Sequence, residues 1–188
     1  MKKYLFIAVL FAGTMLAGCD ELKNATSIDI KVDNVKFEFT ADVVSGVSQS
    51  SALTATRADT PNSFTVTRTV DVSEVGSAQL TEYIDKVGKV VANNSLITLT
   101  ANPAGTYSVS NLTVTAVGVS GSVVVPSYTM GGTFTAPANM ATYTNAFLMK
   151  LVSVKKIDVT VKGNTNAPVG TEINISYESD LIFTASLF

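Results

Sequence analysis

The stretch INISYESDLIFTASL, residues 173–187, alternates apolar and polar side chains along nearly its whole length. Its odd-numbered residues are apolar except for Ser179, and its even-numbered residues are polar except for Ile182. Side chains at alternate positions of a β-strand share one face, so this pattern predicts a strand with one buried face. Such a face is stable only when a second layer covers it. Because Ile182 adds an apolar group to the other face, we expect that end of the strand to be covered on both sides.

The rest of the chain repeats this alternation in shorter segments. The 188 residues include 25 Val and 24 Thr, and β-branched residues favour strands over helices. The segments that we predict to be strands are 28–32, 35–43, 64–72, 96–101, 112–116, 123–125, 157–161 and a short one around Phe134. We predict a mainly β fold, a two-sheet antiparallel β-sandwich of eight to ten strands with one or two short helices.

Three local features modify this pattern. The alternation slips by one position at Asp33-Asn34, which predicts a turn or a β-bulge. Residues 45–62 are rich in Ser, Thr and Ala without a sustained period, which predicts a long loop. Arg68 lies on the apolar side of its segment, so we expect its aliphatic stem to lie near a sheet edge.

Two segments have helical spacing instead. The first follows Ser77, a suitable N-cap, and its apolar residues recur at helical intervals: Leu80, Ile84, Val87 and Val91. The second and shorter helix is predicted from three residues spaced by four: Tyr143, Phe147 and Leu151. We expect the two helices to cover open ends or edges of the sheets.

The N-terminus has the pattern of a secretory signal. Lys2 and Lys3 precede an apolar stretch, Tyr4 to Leu16, that is shorter than the roughly 20 residues of a membrane-spanning helix. The following site, Leu16-Ala17-Gly18-Cys19, resembles the lipobox of bacterial lipoproteins. The resemblance implies that residues 1–18 are removed and that Cys19 carries fatty acyl chains such as palmitate. It divides the chain into a signal peptide (1–18), an acylated tether (19–27) and a single β-sandwich domain (28–188).

The same resemblance implies a partner and a location. The partner is a membrane, reached through the N-terminal lipid, and the location is the bacterial cell envelope, with the outer membrane as our first choice. Asp20 and Glu21 follow the cysteine, and acidic residues there accompany inner-membrane retention in some lipoproteins and surface export in others. The membrane and its side therefore stay open.

Composition excludes several chemistries. The chain has no histidine, which removes Ser-His-Asp and Cys-His catalysis and the commonest zinc ligand. Thirteen basic residues face 15 acidic ones, and no long basic run follows the signal, so nucleic-acid binding has no electrostatic support. No phosphate-binding loop or calcium loop is present. We therefore predict a protein that is not an enzyme and needs no cofactor or metal.

Three carboxylate pairs are the remaining candidates for glycoside hydrolysis. They are Asp29 with Asp33, Asp71 with Glu74, and Glu178 with Asp180. We interpret all three as charges facing solvent on strands or at turns, and negative charge at Asp71 and Glu74 suits the start of the helix that follows.

Aromatic residues suggest one binding hypothesis. Tyr107 and Tyr128 lie near predicted turns or strand ends, where an exposed ring could hold a sugar. The alternative is that they cap the core and keep their hydroxyls in water, as tyrosine commonly does.

Arg57, in the predicted long loop, suggests another hypothesis. The order of lipobox, segment, loop arginine and β domain resembles fimbrillin-like pilins, which implies proteolytic processing near Arg57 and exchange of a strand between subunits. An ordinary loop arginine is the alternative. We thus expect a lipid-anchored lipoprotein with a non-catalytic binding or structural role, and keep a glycan-binding surface module and a pilus subunit as alternatives.

Overall fold

The computed structural model describes residues 26–46 and 61–187. Within these ranges the chain forms nine β-strands and two α-helices, which confirms a mainly β fold. The strands are β1 (Ser27–Asp42), β2 (Asn62–Asp71), β3 (Val87–Asn102), β4 (Ser108–Ala116), β5 (Val123–Val125), β6 (Tyr128–Thr129), β7 (Gly132–Thr135), β8 (Lys156–Thr165) and β9 (Glu172–Ser186). The helices are α1 (Ala78–Tyr83) and α2 (Ala138–Val154), and two 3₁₀ turns cover Val72–Glu74 and Ile84–Lys86.

The strands form two antiparallel sheets, as predicted. The four-stranded sheet has the order β1-β9-β3-β7, and the five-stranded sheet has the order β2-β8-β4-β5, with β6 also pairing with β4. One hydrophobic core fills the space between the sheets. The predicted C-terminal strand is β9, and it lies between β1 and β3 at the centre of its sheet.

The alternation along β9 determines which of its faces is buried. Every odd-numbered position from Ile173 to Ala185 is buried, and the even positions are partly exposed up to Thr184. Ser179 is buried with the apolar residues at 1% exposure. Ile182 is partly exposed on the outer face, where Lys31 and Val91 of the neighbouring strands flank it. The face predicted from sequence is therefore the one that packs against the second layer.

The predicted irregularity at Asp33-Asn34 is a β-bulge. The register of β1 against β9 shifts between Val32 and Val35, and Asn34 has a left-handed φ of 55°. Asparagine tolerates this conformation better than most residues. A second bulge lies across β9 in β3, where Asn94 has a φ of 51°. The bulges let each strand keep apolar side chains on the core face on both sides of the slip.

Asp180 of β9 connects the two bulges. Its carboxylate accepts hydrogen bonds from the Asn34 backbone N–H at 3.0 Å and from the Asn94 side-chain amide at 2.8 Å. These two hydrogen bonds hold the pKa of Asp180 below its usual value, and the bond from Asn94 has the larger effect. The ionised carboxylate therefore favours the folded sheet.

Asp180 predicts a specific acid sensitivity. A carboxyl whose folded pKa is depressed contributes stability that is complete above its unfolded pKa of about 3.9 and is lost as the pH falls through the folded pKa. We expect Asp180→Asn to lower the melting temperature at pH 7, and we expect the difference from the wild type to vanish in strong acid. Asp33→Asn, in the β1 bulge, is the matched control. An equal loss of melting temperature at all pH values would contradict this account of Asp180.

The first predicted helix is shorter than its sequence pattern suggested. Ser77 is the N-cap, since its hydroxyl accepts the Leu80 N–H at 3.1 Å, but α1 has only six residues. Val87, which was expected to lie within the helix, begins β3 instead, and Val90 and Val91 pair with Phe183 and Ile182 of β9. These β-branched valines pair with β9 within the sheet, where their side chains are better accommodated than in a surface helix.

The second helix is longer than expected and belongs to the core. α2 has 17 residues, and its buried residues are Met140, Tyr143, Thr144, Phe147, Leu148, Leu151 and Val152. It also covers an edge, as predicted, because β7 pairs with only Leu96–Leu99 of β3. Beyond them, the Asn145 side chain accepts the Ala92 N–H at 2.8 Å. The helix thus protects backbone that would otherwise be an open strand edge.

Arg68 lies near a sheet edge, as predicted, and bridges the two sheets. It lies on β2, an edge strand of the five-stranded sheet, and donates to the Glu38 backbone carbonyl of β1 at 3.0 Å. Its guanidinium also pairs with Glu74 and lies 5.8 Å from the centre of the Phe39 ring. The half-buried stem and its three partners close one side of the sandwich.

Candidate functional site

Two of the predicted functional residues lie outside the described residues. Cys19, the predicted lipidation site, precedes Thr26, the first described residue. Arg57, the predicted processing site, lies between Gly46 and Pro61 in a range that the structure does not describe. Both therefore stay predictions from sequence.

At least one member of each carboxylate pair is engaged in structural contacts. Asp71 and Glu74 form a capping box on the 3₁₀ turn. The hydrogen bond from the Ser73 backbone N–H, and to a smaller extent the one from Lys156, lowers the pKa of Asp71 to about 2. Asp29 accepts the Thr184 hydroxyl at 2.7 Å, and Asp180 connects the two bulges. Among the described residues no group of three or more His, Cys, Asp or Glu could hold a metal ion.

Tyr107 and Tyr128 lie close together at one end of the five-stranded sheet. Tyr128 pairs with Val109 of β4, and the backbone carbonyl of Tyr107 accepts the Met130 N–H at 2.8 Å. Both tyrosines are partly exposed and pack against the core. The Tyr128 ring stacks on Phe134 with centroids 4.2 Å apart, so one of its faces is already occupied. Sugar binding by these rings stays a prediction.

A cavity of about 50 Å³ lies between the sheets beneath α2. Its lining comes from the four-stranded sheet (Phe37, Phe39, Ile97, Ile175, Tyr177), from the five-stranded sheet (Val70, Leu112, Val114, Ala116, Val125, Val159, Val161) and from α2 (Met140, Tyr143, Thr144, Phe147). All of these are buried except Val114, which is partly exposed. At about 24 cal/mol per Å³, leaving such a space empty costs roughly 1 kcal/mol of stability.

A buried hydroxyl network lies beside this cavity. The Tyr177 hydroxyl is 2.8 Å from the Ser95 hydroxyl and accepts the Thr144 hydroxyl at 3.0 Å. Ser179 extends the network to Ser95 at 3.0 Å and donates to the Asn93 carbonyl at 2.8 Å. These groups satisfy one another without a charged residue, so the network can orient α2 on the sheet but has no base to activate a nucleophile.

Tyr143, like Thr144 and Tyr177, carries a hydroxyl and lines the cavity. Its hydroxyl accepts the Ala116 backbone N–H at 2.7 Å, and burial raises the pKa of the phenol while that hydrogen bond partly opposes the rise. Tyr143 therefore stays neutral at physiological pH and ties α2 to β4. Sequence reasoning missed this site because its members are far apart in the chain; Ser179, a polar residue on an apolar face, was the one visible signal.

Comparison with known proteins adds a distant bacterial relative. The chain is 28% identical over 145 residues, 77% of its length, to internalin I of Listeria monocytogenes serovar 1/2a (strain ATCC BAA-679 / EGD-e). The match spans 8% of that much longer protein. No family model matches the chain, and no solved structure matches it. Among the described residues no helix is long and apolar enough to cross a membrane. The likeness is to a small part of a bacterial protein and assigns neither family nor activity.

Proposed function

We propose that this protein is a lipid-anchored lipoprotein of the bacterial cell envelope whose β-sandwich has a non-catalytic binding or structural role. The observation that carries the proposal is the sequence Leu16-Ala17-Gly18-Cys19 after a short apolar stretch with two N-terminal lysines. One acyl chain binds a membrane only marginally, so stable anchoring needs the two or three chains that the lipoprotein resemblance implies.

The position of the folded domain supports a short tether. β1 begins at Ser27, and six residues lie between Cys19 and the first described residue, Thr26. The seven residue-to-residue steps from Cys19 to Thr26 span at most about 25 Å. An acylated Cys19 would therefore hold the sandwich close to the membrane surface.

Removing the acylation site tests the anchor. We expect Cys19→Ala to abolish metabolic labelling with a fatty-acid analogue and to move the protein from the membrane fraction to the soluble fraction. Asp20→Ala, next to the lipid site, should keep the fatty-acid label. The distribution of this variant between the inner and outer membranes reports on sorting. Unchanged labelling of Cys19→Ala would refute lipidation at this residue.

The absence of histidine from the chain and the structural use of the carboxylates support a non-catalytic role. We expect the mature protein to give no turnover with glycoside, ester or peptide substrates. Turnover that disappears when a single carboxylate, such as Glu178, is changed to its amide would overturn this part of the proposal.

A pilus subunit is the second candidate, and the position of β1 favours it. β1 is an edge strand that forms its ladder with β9, and it precedes the segment that contains Arg57. Cleavage after Arg57 would leave β1 held to the domain only by non-covalent contacts. If the protein is processed there, Arg57→Ala keeps a single full-length mature chain in the cell, whereas the wild type yields two fragments. A wild-type chain that stays intact on the cell would argue against this candidate.

A further inference from the structure

Small side chains line most of the five-stranded-sheet side of the cavity. Native cores rarely leave space larger than a water molecule. Here the five-stranded sheet presents Val159, Val161 and Ala116, where larger aliphatic side chains would fill the gap. The unfilled volume lies between the two sheets and the N-terminal part of α2.

The chemistry of the lining selects the occupant. The three hydroxyls on the cavity, from Tyr143, Thr144 and Tyr177, all have hydrogen-bond partners within the protein. A buried water needs two to four polar partners, and apolar cavities without them stay dry. No charged side chain lines the cavity. An occupant must therefore be uncharged and apolar where it touches these walls.

One side of the cavity approaches the surface. Val114 is the only partly exposed lining residue, and it lies on β4 opposite Val123 of β5. Met140, in the first turn of α2, lines the same cavity. Methionine has an unbranched, flexible side chain that adapts readily to a ligand. Rotation of Met140 is the movement by which we expect the cavity to enlarge.

We propose that this cavity is a binding site for a small hydrocarbon group, which enters beside Val114 and packs between the sheets under α2. An engineered cavity of about 150 Å³ takes benzene, so the present 50 Å³ accepts a group of that size only with the movement of Met140. The group could be a free apolar molecule or the end of a hydrocarbon chain whose polar head stays in water. This inference is independent of the lipid anchor and concerns the domain alone.

The test uses the full mature chain with Cys19→Ala, which removes competing acyl chains. Methyl NMR spectra are recorded during titration with benzene, a free apolar molecule, and separately with hexanoate, a chain with a charged head. We expect saturable shifts of the methyl groups of Val114, Leu112 and Val161 with at least one probe. Shifts with benzene alone identify a free molecule as the ligand, and shifts with hexanoate identify a chain end.

A matched pair of variants tests whether the probes bind in this cavity. Ala116→Val adds volume to the lining, whereas Ala92→Val adds the same volume at a buried site elsewhere. We expect Ala116→Val to weaken probe binding by about tenfold or more, the usual effect of a methylene in an apolar pocket, and Ala92→Val to leave it unchanged. If Ala116→Val fails to fold, Val161→Ile and its control Val90→Ile make the same comparison. No saturable shift, or equal binding by the lining and control variants, would overturn the proposal.

Discussion

Deletion of residues 181–188 is expected to abolish the cooperative thermal transition of this domain. The deleted segment contains the last part of β9, which pairs with β1 on one side and with β3 on the other. Leu181, Phe183 and Ala185 in this segment are at most 1% exposed. The deletion removes core volume and takes the β9 partner away from Ser27–Val32 of β1 and from Val87–Ala92 of β3. We expect an unfolded or aggregating product, because such edges readily pair with other chains.

A single substitution separates core packing from edge pairing. Phe183 is completely buried, and Phe183→Ala should lower the free energy of unfolding by about 3–5 kcal/mol, the usual cost of such a change in a core. The neighbouring Ile182 lies on the outer face and is partly exposed, so Ile182→Ala should cost about 1 kcal/mol. Urea unfolding of both variants measures the difference. A truncated protein that stays soluble with a sharp thermal transition would show that this strand is not part of the core.

The deletion also bears on the pilus hypothesis. An exchangeable C-terminal strand would leave a folded monomer that fails to polymerise when it is removed. The central place of β9 in its sheet argues for unfolding instead. β1 lies at an edge of that sheet, so its removal would break one ladder, whereas removal of β9 would break two.

The sequence predicted the strands best where burial on one face dictates the side chains. β9 and β8 alternate cleanly, and their buried faces agree with the odd-numbered residues of the pattern. The bulge at Asn34 was visible because apolar residues flank it on both sides. The corresponding slip at Asn94 was missed, although Asn93-Asn94-Ser95 is a similar polar interruption. The helical spacing of Val87 and Val91 had assigned the residues before it to a helix, so the strand was expected to begin only at Leu96.

The two candidate sites differ in how far the sequence alone can predict them. The lipid site is a contiguous motif, so four neighbouring residues suffice to predict it. The cavity needs Phe37, Ala116, Phe147 and Tyr177 to meet, and these residues come from β1, β4, α2 and β9. No local spacing signals such a site, since it depends on how two sheets and a helix pack. Tyr107 and Tyr128 were correctly placed near strand ends, but their contacts with Gly105 and Phe134 depend on turn geometry.

The role of α2 leads to the second large effect that we expect. The helix carries a fully buried leucine, Leu151, whose backbone carbonyl also accepts the Lys155 N–H at 2.7 Å where the helix ends. Leu148, one turn earlier, is also completely buried. If α2 only covered an edge, truncating one of these side chains would change little. Because the helix fills the space between the sheets, Leu151→Ala should lower the free energy of unfolding by about 2–5 kcal/mol.

A matched change on the same turn of α2 controls for helix propensity. Val154 is 42% exposed, so Val154→Ala removes a partly solvated side chain and should change the free energy of unfolding by only about 0.5 kcal/mol. Alanine is the best helix former, so neither variant loses stability through its backbone. Urea unfolding with an unchanged dependence on denaturant would assign the loss in Leu151→Ala to the native core. Equal effects of the two substitutions would mean that α2 lies on the sandwich as a cover and that the core closes without it.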